Sequence, residues 1–401
     1  MFIPTIVAYP ATTAAACVAI AVSCASVYAL YQLFFSPLSS IPGPFWAKLT
    51  SFPRLNSVLG NATHIELVNY HKKYGTVVRI GPNALSVTDP TAFREIYKAG
   101  NKFIKTESMD VLNAGRSFDL AGERNEKVHG EQRKLVARAY SLESMIQLEP
   151  RVDETVQALL NKFDEITGQT IDLAQWFQLF AFADNRNGYF NQFAWREIHA
   201  RKDRGGDDRD ILGKLLEVQR GKHQMKDIDI AFMMTSNVTA GSDTTSIALS
   251  SVFHYLLRNP DTHRSLMSEL EDKAARGELS PIVTASQAGS CAYLQAVIYE
   301  ALRLRPSVGL TLDRVVPPGG MTIDGHFVPE GTEVGTSAWA LHREPSIWGS
   351  DAESFRPERW LGKENEGLNI SWLEIEKLVP TLLMRYNFRL APHATLTDDC
   401  G

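Results

Sequence analysis

Apolar positions change their spacing several times along the chain, and each change predicts a different element. From Ala11 to Phe35 they form a nearly continuous run, long enough to cross a bilayer as one helix. Tyr28, Tyr31, Phe34 and Phe35 cluster at its C-terminal end, where interfacial aromatics sit. Ser36 to Leu49, SPLSSIPGPFWAKL, breaks the run with prolines and predicts a stiff, non-helical hinge. Helix-like residues follow up to Lys73. Gly75 to Pro90 then alternates β-branched and polar residues around a Gly-Pro-Asn turn, which predicts a hairpin. From Thr91 to about Leu257 the helical period dominates. Val315 to Ala340 returns to short β-like runs between Gly/Pro turns, and a last helix covers Asn369 to Met384. Lys202 to Asp210 is a charged, solvated loop, and neither an internal repeat nor a low-complexity segment occurs. The pattern predicts a mainly α fold with small β-sheets, an α+β domain at 50–401, behind an anchor at 1–35 and a hinge at 36–49.

Charge fixes how the anchor is oriented. No Lys, Arg, Asp or Glu precedes Lys48, and the first basic residues, Lys48 and Arg54, follow the span. The positive-inside rule then places the bulk of the chain in the cytoplasm. A cleaved signal peptide is the rival reading, but a basic n-region is missing and the apolar run is long for one. With the anchor topology, the sequon at Asn61 faces the cytosol and stays bare. The 401 residues carry a net charge of −5 and are 44% hydrophobic, so a basic nucleic-acid-binding face is excluded and a large core is available. Four scattered cysteines, Cys17, Cys24, Cys291 and Cys400, argue against a disulfide framework or structural zinc site and fit a reducing compartment.

Three motifs carry candidate chemistry. TAGSDTTS, Thr239 to Ser246, sits inside a helical pattern running from about Ile228 to Leu257. A helical glycine costs about 1 kcal/mol relative to alanine, so Gly241 needs a reason: close approach of a ligand to the helix, or packing. Asp243 and Thr244 add an acid and an alcohol, the parts of a proton relay; a polar helix face is the plainer reading. In YEALRLRP, Tyr299 to Pro306, Glu300 and Arg303 are three apart and share a helix face. FRPERW, Phe355 to Trp360, supplies Arg359 in a proline-bounded stretch.

Taken in order, AGSDTT, EALR and PERW resemble the cytochrome P-450 family of haem-thiolate monooxygenases. HGEQRK (His129 to Lys134) resembles that family's propionate-binding helix, and LDRVVP (Leu312 to Pro317) its second propionate strand. LVARAYS, YLQAVIYEALRLRP and NISWLEIEKLVP most resemble fungal members of the pisatin demethylase type. The resemblance implies the cytochrome P-450 fold, a haem cofactor, electrons from an NADPH-dependent reductase, an apolar small-molecule substrate and a place in fungal secondary metabolism. It also implies a single-pass location in the endoplasmic reticulum membrane with the catalytic domain cytoplasmic. Residue by residue, Glu300, Arg303 and Arg359 become a buried charge triad. Asp243 and Thr244 become the proton-delivering pair, and Ala240 and Gly241 the cleared floor over the haem. His129, Arg133 and Arg314 become the propionate partners.

The chain departs from that family at two places. The family's axial cysteine lies in a loop between the PERW segment and the last helix; here PERW runs through LGKENEG directly into LNISWLEIEKL. The whole loop is missing near 367–368. Cys17 and Cys24 lie in the anchor, Cys291 begins the helix of Glu300, Cys400 lies in a polar tail, and His342 and His393 lack supporting spacing. A second gap falls near 183–190, where FAFAD breaks off and 106 residues separate Arg133 from Ala240. A non-catalytic or misspliced remnant, binding haem or reductase weakly at most, is the alternative reading.

Overall fold

The computed structural model describes residues 10–113, 116, 118–181, 189–204, 210–222, 225–362 and 370–391. The gap at 367–368, most of that at 183–190, His393 and Cys400 lie outside these residues. The chain divides into two compact units, Met1–Ile104 with Leu310–Leu341, and Lys105–Gly309 with His342–Gly401.

The first unit begins with helix α1 (Pro10–Leu30), which runs into a π-helical turn at Tyr31–Phe35. No residue of the apolar stretch Ala14–Phe35 is buried, which fits a membrane anchor. The hinge carries one helical turn, Phe45–Leu49, and leads to α2 (Phe52–Leu59) and α3 (Thr63–Tyr74). The hairpin forms as the alternation predicts: β1 (Val77–Gly81) pairs antiparallel with β2 (Ala84–Val87), with Val77 opposite Val87. One detail differs. All nine strand residues are buried, Arg79 included, so neither face of the hairpin is solvated. The sheet continues through β3 (Ile104–Lys105), β4 (Arg314–Val315) and β7 (Glu333–Gly335) in the order β1-β2-β7-β4-β3. A separate hairpin joins β5 (Met321–Ile323) to β6 (His326–Val328) through Asp324 and Gly325, both with φ positive. Asp-Gly supplies that backbone at little steric cost, and it sets the register. Leu38, Ile41, Leu85, Ile96, Val328 and Val334 fill the core.

The second unit is helical: α4 (Glu126–Val136), α5 (Glu149–Glu165), α6 (Leu173–Ala181), α7 (Tyr189–Arg204), α8 (Ile211–Lys222), α9 (Asp227–Arg258), α10 (Pro260–Ala275), α11 (Ala292–Leu304) and α12 (Ile370–Arg385). At 32 residues α9 is the axis of the unit. Its start is set by Asp229, whose carboxylate accepts the Lys226 amide at 2.8 Å. It ends at Asn259 because Pro260 cannot continue it and instead opens α10. Phe177 of α6 meets Phe253 of α9 at 5.2 Å, and Leu160, Leu249, Val297 and Leu378 close the same core. A smaller cluster, around Ile198, Leu215 and Ile230, joins α7, α8 and α9. The fold is thus mainly helical with small sheets, as the pattern predicts.

Candidate active site

Gly241 sits on α9 with nothing within 4 Å of where a Cβ would lie. Packing therefore does not require the glycine, and an open face of the helix is what it leaves. Ala240 beside it is exposed. Thr244 returns its hydroxyl to the Ala240 carbonyl at 2.9 Å, and its own carbonyl accepts the Ser307 hydroxyl at 2.8 Å. The helix ladder is thus tied at Thr244 to the turn that follows α11. Asp243 is exposed, within 3.5 Å of the Gln178 amide. Asp243 and Thr244 are neighbours in sequence, but here their side chains take different partners.

The charge triad assembles from α11 and the 3₁₀ turn Pro357–Trp360. Glu300 and Arg303 share a helix face, and both are buried. Arg303 donates Nε to Glu300 Oε2 and Nη2 to Oε1, each at 2.8 Å. Arg359 donates Nε to Glu300 Oε1 at 2.9 Å. Two further donors escape sequence reasoning: the Arg356 amide at 2.9 Å and the Trp360 indole at 2.9 Å. Burial pushes the Glu300 carboxyl up, but these donors outweigh it and hold it below the ordinary range. The remaining guanidinium donors reach carbonyls of His342, Ala352 and Ser354. An aromatic run accompanies the triad: Trp348 to Trp360 at 5.4 Å, Trp360 to Tyr299 at 5.3 Å, and Tyr299 to Trp372 of α12 at 4.6 Å.

The propionate candidates divide between the units. His129 and Arg133 are one helical turn apart on α4 and so share a face. Burial, then the Lys105 charge, lowers the His129 pKa, and Glu126 lies 3.9 Å from its Nδ1. Arg133 is exposed. Arg314, on β4, belongs to the first unit; its Nη1 donates to the Asp313 carbonyl and its guanidinium lies over the Tyr97 ring.

A buried ionic group on α12 carries no sequence signal. Lys377 is fully buried, with Nζ 2.7 Å from both Glu149 and Asp153 of α5. Nearby, burial pushes the Glu374 carboxyl up to about 7, and the Thr245 hydroxyl of α9 pulls it partly back.

The haem implied by the motifs needs a thiolate on its iron, and the described residues do not supply one. Cys17 and Cys24 are exposed on α1. Cys291 is fully buried in the core of the second unit, with Sγ 3.5 Å from the Gln287 carbonyl. Burial, then Glu269, pushes its thiol up to about 11, so it is protonated at neutral pH. In the folded chain Cys291 should therefore resist a thiol-specific maleimide until denaturant is added; rapid modification of Cys291 itself in the native protein, read by peptide mass mapping, would contradict this placement. His342 is half-buried with Nδ1 3.1 Å from the Arg303 carbonyl, and desolvation lowers its pKa to about 4. No cluster of three metal-binding side chains occurs among the described residues. Residues 361–369 contain neither cysteine nor histidine. The axial site of a haem-thiolate protein is thus not matched among the described residues.

Known proteins give the scaffold its place. A model of the cytochrome P450 family matches residues 40–184 and 182–380. Cytochrome P450 monooxygenase hepC of Aspergillus oryzae is 44% identical, over 85% of this chain and 81% of its own length. Pisatin demethylase of Fusarium vanettenii is 31% identical over 446 aligned positions, 90% of this chain and 85% of its own length. A zebrafish cytochrome P450 solved with abiraterone superposes with a TM-score of 0.67, at 22% identity, over 83% of this chain and 93% of that one. With α9, α11 and the Glu300 triad in the order AGSDTT, EALR and PERW, this chain belongs to the cytochrome P450 family of haem-dependent monooxygenases.

Proposed function

We propose that the gene encodes a membrane-anchored monooxygenase acting on an apolar small molecule in fungal secondary metabolism, and that the chain described here is its form without the axial-ligand loop. The observation that carries this reading is the coexistence of an intact Glu300–Arg303–Arg359 triad with the lack of any thiol between Trp360 and Ile370. Two losses account for it, near 183–190 and near 367–368. The family match falls into two pieces that meet at 182–184, which supports the first loss. The pisatin demethylase alignment, at 446 positions, is longer than the 401 residues available here, which supports material missing overall.

In this reading each remaining residue keeps a defined task. Gly241 and Ala240 keep one face of α9 clear. Thr244 holds a proton at Oγ1, and Asp243 exchanges protons with solvent. Arg133 and Arg314 offer cations to carboxylates, and His129 offers a ring N–H. Electrons come from an NADPH-dependent reductase on the cytoplasmic side of the endoplasmic reticulum, with α1 as the single span. The charge asymmetry supports this orientation, with no charged residue before Lys48.

The test is the absorption spectrum of the purified chain with added haem, reduced under carbon monoxide. No strongly red-shifted Soret band is expected from this chain. Such a band would mean that a thiolate reaches iron and would overturn the ligand-loss reading. Sequencing transcripts across 180–190 and 360–370 tests the origin of the losses: a longer product with a cysteine after residue 360 is expected, and reads matching only the present sequence would overturn it.

A further inference from the structure

The second unit contains a cavity that the motifs leave unexplained. It has a volume of about 340 Å³ and lies where α7, α8 and α9 meet. From α9 it takes Met234, Thr235 and Val238, all upstream of Gly241. At about 100° per residue, these three project to roughly the opposite side of the helix from Ala240 and Thr244. The cavity is therefore separate from the open face on which the monooxygenase motif lies.

Its walls are apolar and its rim is charged. Leu148, Ala194, Leu212, Met234 and Val238 line the walls, and Ala194 and Leu212 also belong to the core around Ile198 and Leu215. The rim comes from α7 and the start of α8. Glu197 and Arg201 are about one turn apart on α7 and share a face. Arg201 donates Nη2 to Asp210 Oδ2 at 2.8 Å and Nη1 to Oδ1 at 3.3 Å. Asp210 also accepts the Gly213 amide at 2.7 Å, so its carboxylate is largely spent on Arg201 and on capping α8. Glu197 is differently placed. Its recorded cationic partners are Arg204 at 3.5 Å and Arg196 at 3.8 Å, distances at which little hydrogen bonding remains. Both of those arginines are mostly exposed, so water screens their charge. The Glu197 carboxylate thus keeps acceptor capacity at the mouth of an apolar space.

We propose that this cavity is a binding site for a small, neutral, mostly apolar molecule bearing one hydroxyl group. The apolar body fills the space between α7 and α9, and the hydroxyl donates to the Glu197 carboxylate. The volume lies at the small end of ligand sites, about 300–1,000 Å³, which suits a mono- or bicyclic alcohol or phenol. Two carboxylates against one arginine in the lining repel an anionic molecule. A molecule without the hydroxyl strips water from Glu197 and returns no hydrogen bond, so it binds more weakly. The site requires neither haem nor the loop missing near 367–368, because every wall belongs to the helical scaffold.

The experiment follows methionine methyl signals by NMR in the full chain, labelled with carbon-13 methyl methionine and held in lipid nanodiscs at neutral pH. The Met234 signal is assigned by its loss in Met234→Leu. 2-Naphthol is titrated in, and naphthalene and 2-naphthoate are titrated separately over the same concentrations. The Met234 methyl should shift saturably with 2-naphthol while Met321, on β5 of the first unit, stays still. Naphthalene should bind several-fold more weakly, and 2-naphthoate should leave Met234 unmoved. In Glu197→Ala the affinity for 2-naphthol should fall to that for naphthalene. Val238→Phe, which fills the cavity, should abolish the Met234 response; should that variant not fold, the Glu197→Ala comparison still decides. A Met234 signal that does not saturate, or a Met321 signal that moves equally, overturns the site. Equal binding of 2-naphthoate and 2-naphthol, or a Glu197→Ala chain that binds 2-naphthol like the parent, overturns the ligand class. Unchanged binding in a folded Val238→Phe chain overturns the location.

Discussion

Glu300→Ala loses about 3–5 kcal/mol of unfolding free energy, because removing one member of a buried ion cluster leaves the others charged and unpaired. Glu300 accepts from Arg303, from Arg359, from the Arg356 amide and from the Trp360 indole, and it is fully buried. No water can replace those acceptors without opening the core between α11 and the 3₁₀ turn. Glu353→Ala, which breaks the half-exposed pair with Arg343, loses under about 1 kcal/mol. Urea denaturation of both variants gives the comparison. Equal midpoints would mean that the triad adds nothing to stability.

Glu374 produces the second large effect, and its sign depends on pH. Its folded value, about 7, lies above the ordinary 4.5, so the folded state prefers the neutral acid. That contribution is whole below about pH 4.5 and is lost as pH rises through about 7. Glu376 is raised by burial in the same direction, with Gln295 and Trp372 pulling it back. Glu374→Gln should therefore match the parent chain near pH 4.5 and exceed it near pH 8, by on the order of 2 kcal/mol. Denaturation midpoints at the two pH values decide it. A gap that does not change with pH would mean that Glu374 is ionised throughout.

What the sequence could disclose followed the range over which each interaction acts. The N-terminal apolar helix, the hairpin and α9 rest on local periodicity, and all three are found where the pattern places them. Glu300 and Arg303 are also local, one turn apart on a helix, so their pairing was visible from spacing. Arg359 joined them only through the ordered resemblance of three motifs, because its partner is 59 positions away. Lys377 and Glu149 are separated by 228 positions, and no local pattern marks a lysine that will be fully buried. Arg79 is hidden for a related reason: the strand is covered on both sides, and the guanidinium is satisfied by the carbonyls of Gln32, Gly81 and Pro82, which no alternation pattern marks. Glu374 looks like any helix glutamate; its raised value comes from burial beside α9, which is a property of packing alone.

The run from Trp348 through Trp360 and Tyr299 to Trp372 crosses the place where α12 follows PERW at unusually short range. Indole and phenol rings held at such separations couple their electronic transitions, and an asymmetric, immobile arrangement makes that coupling chiral. The scaffold thus carries its own optical signature in the near ultraviolet, independent of any cofactor. Trp360 reports from the turn and Trp372 from the last helix, so the signal exists only while the two are docked together. The chain announces through these rings, without any added dye, whether the 3₁₀ turn and the last helix have closed on one another.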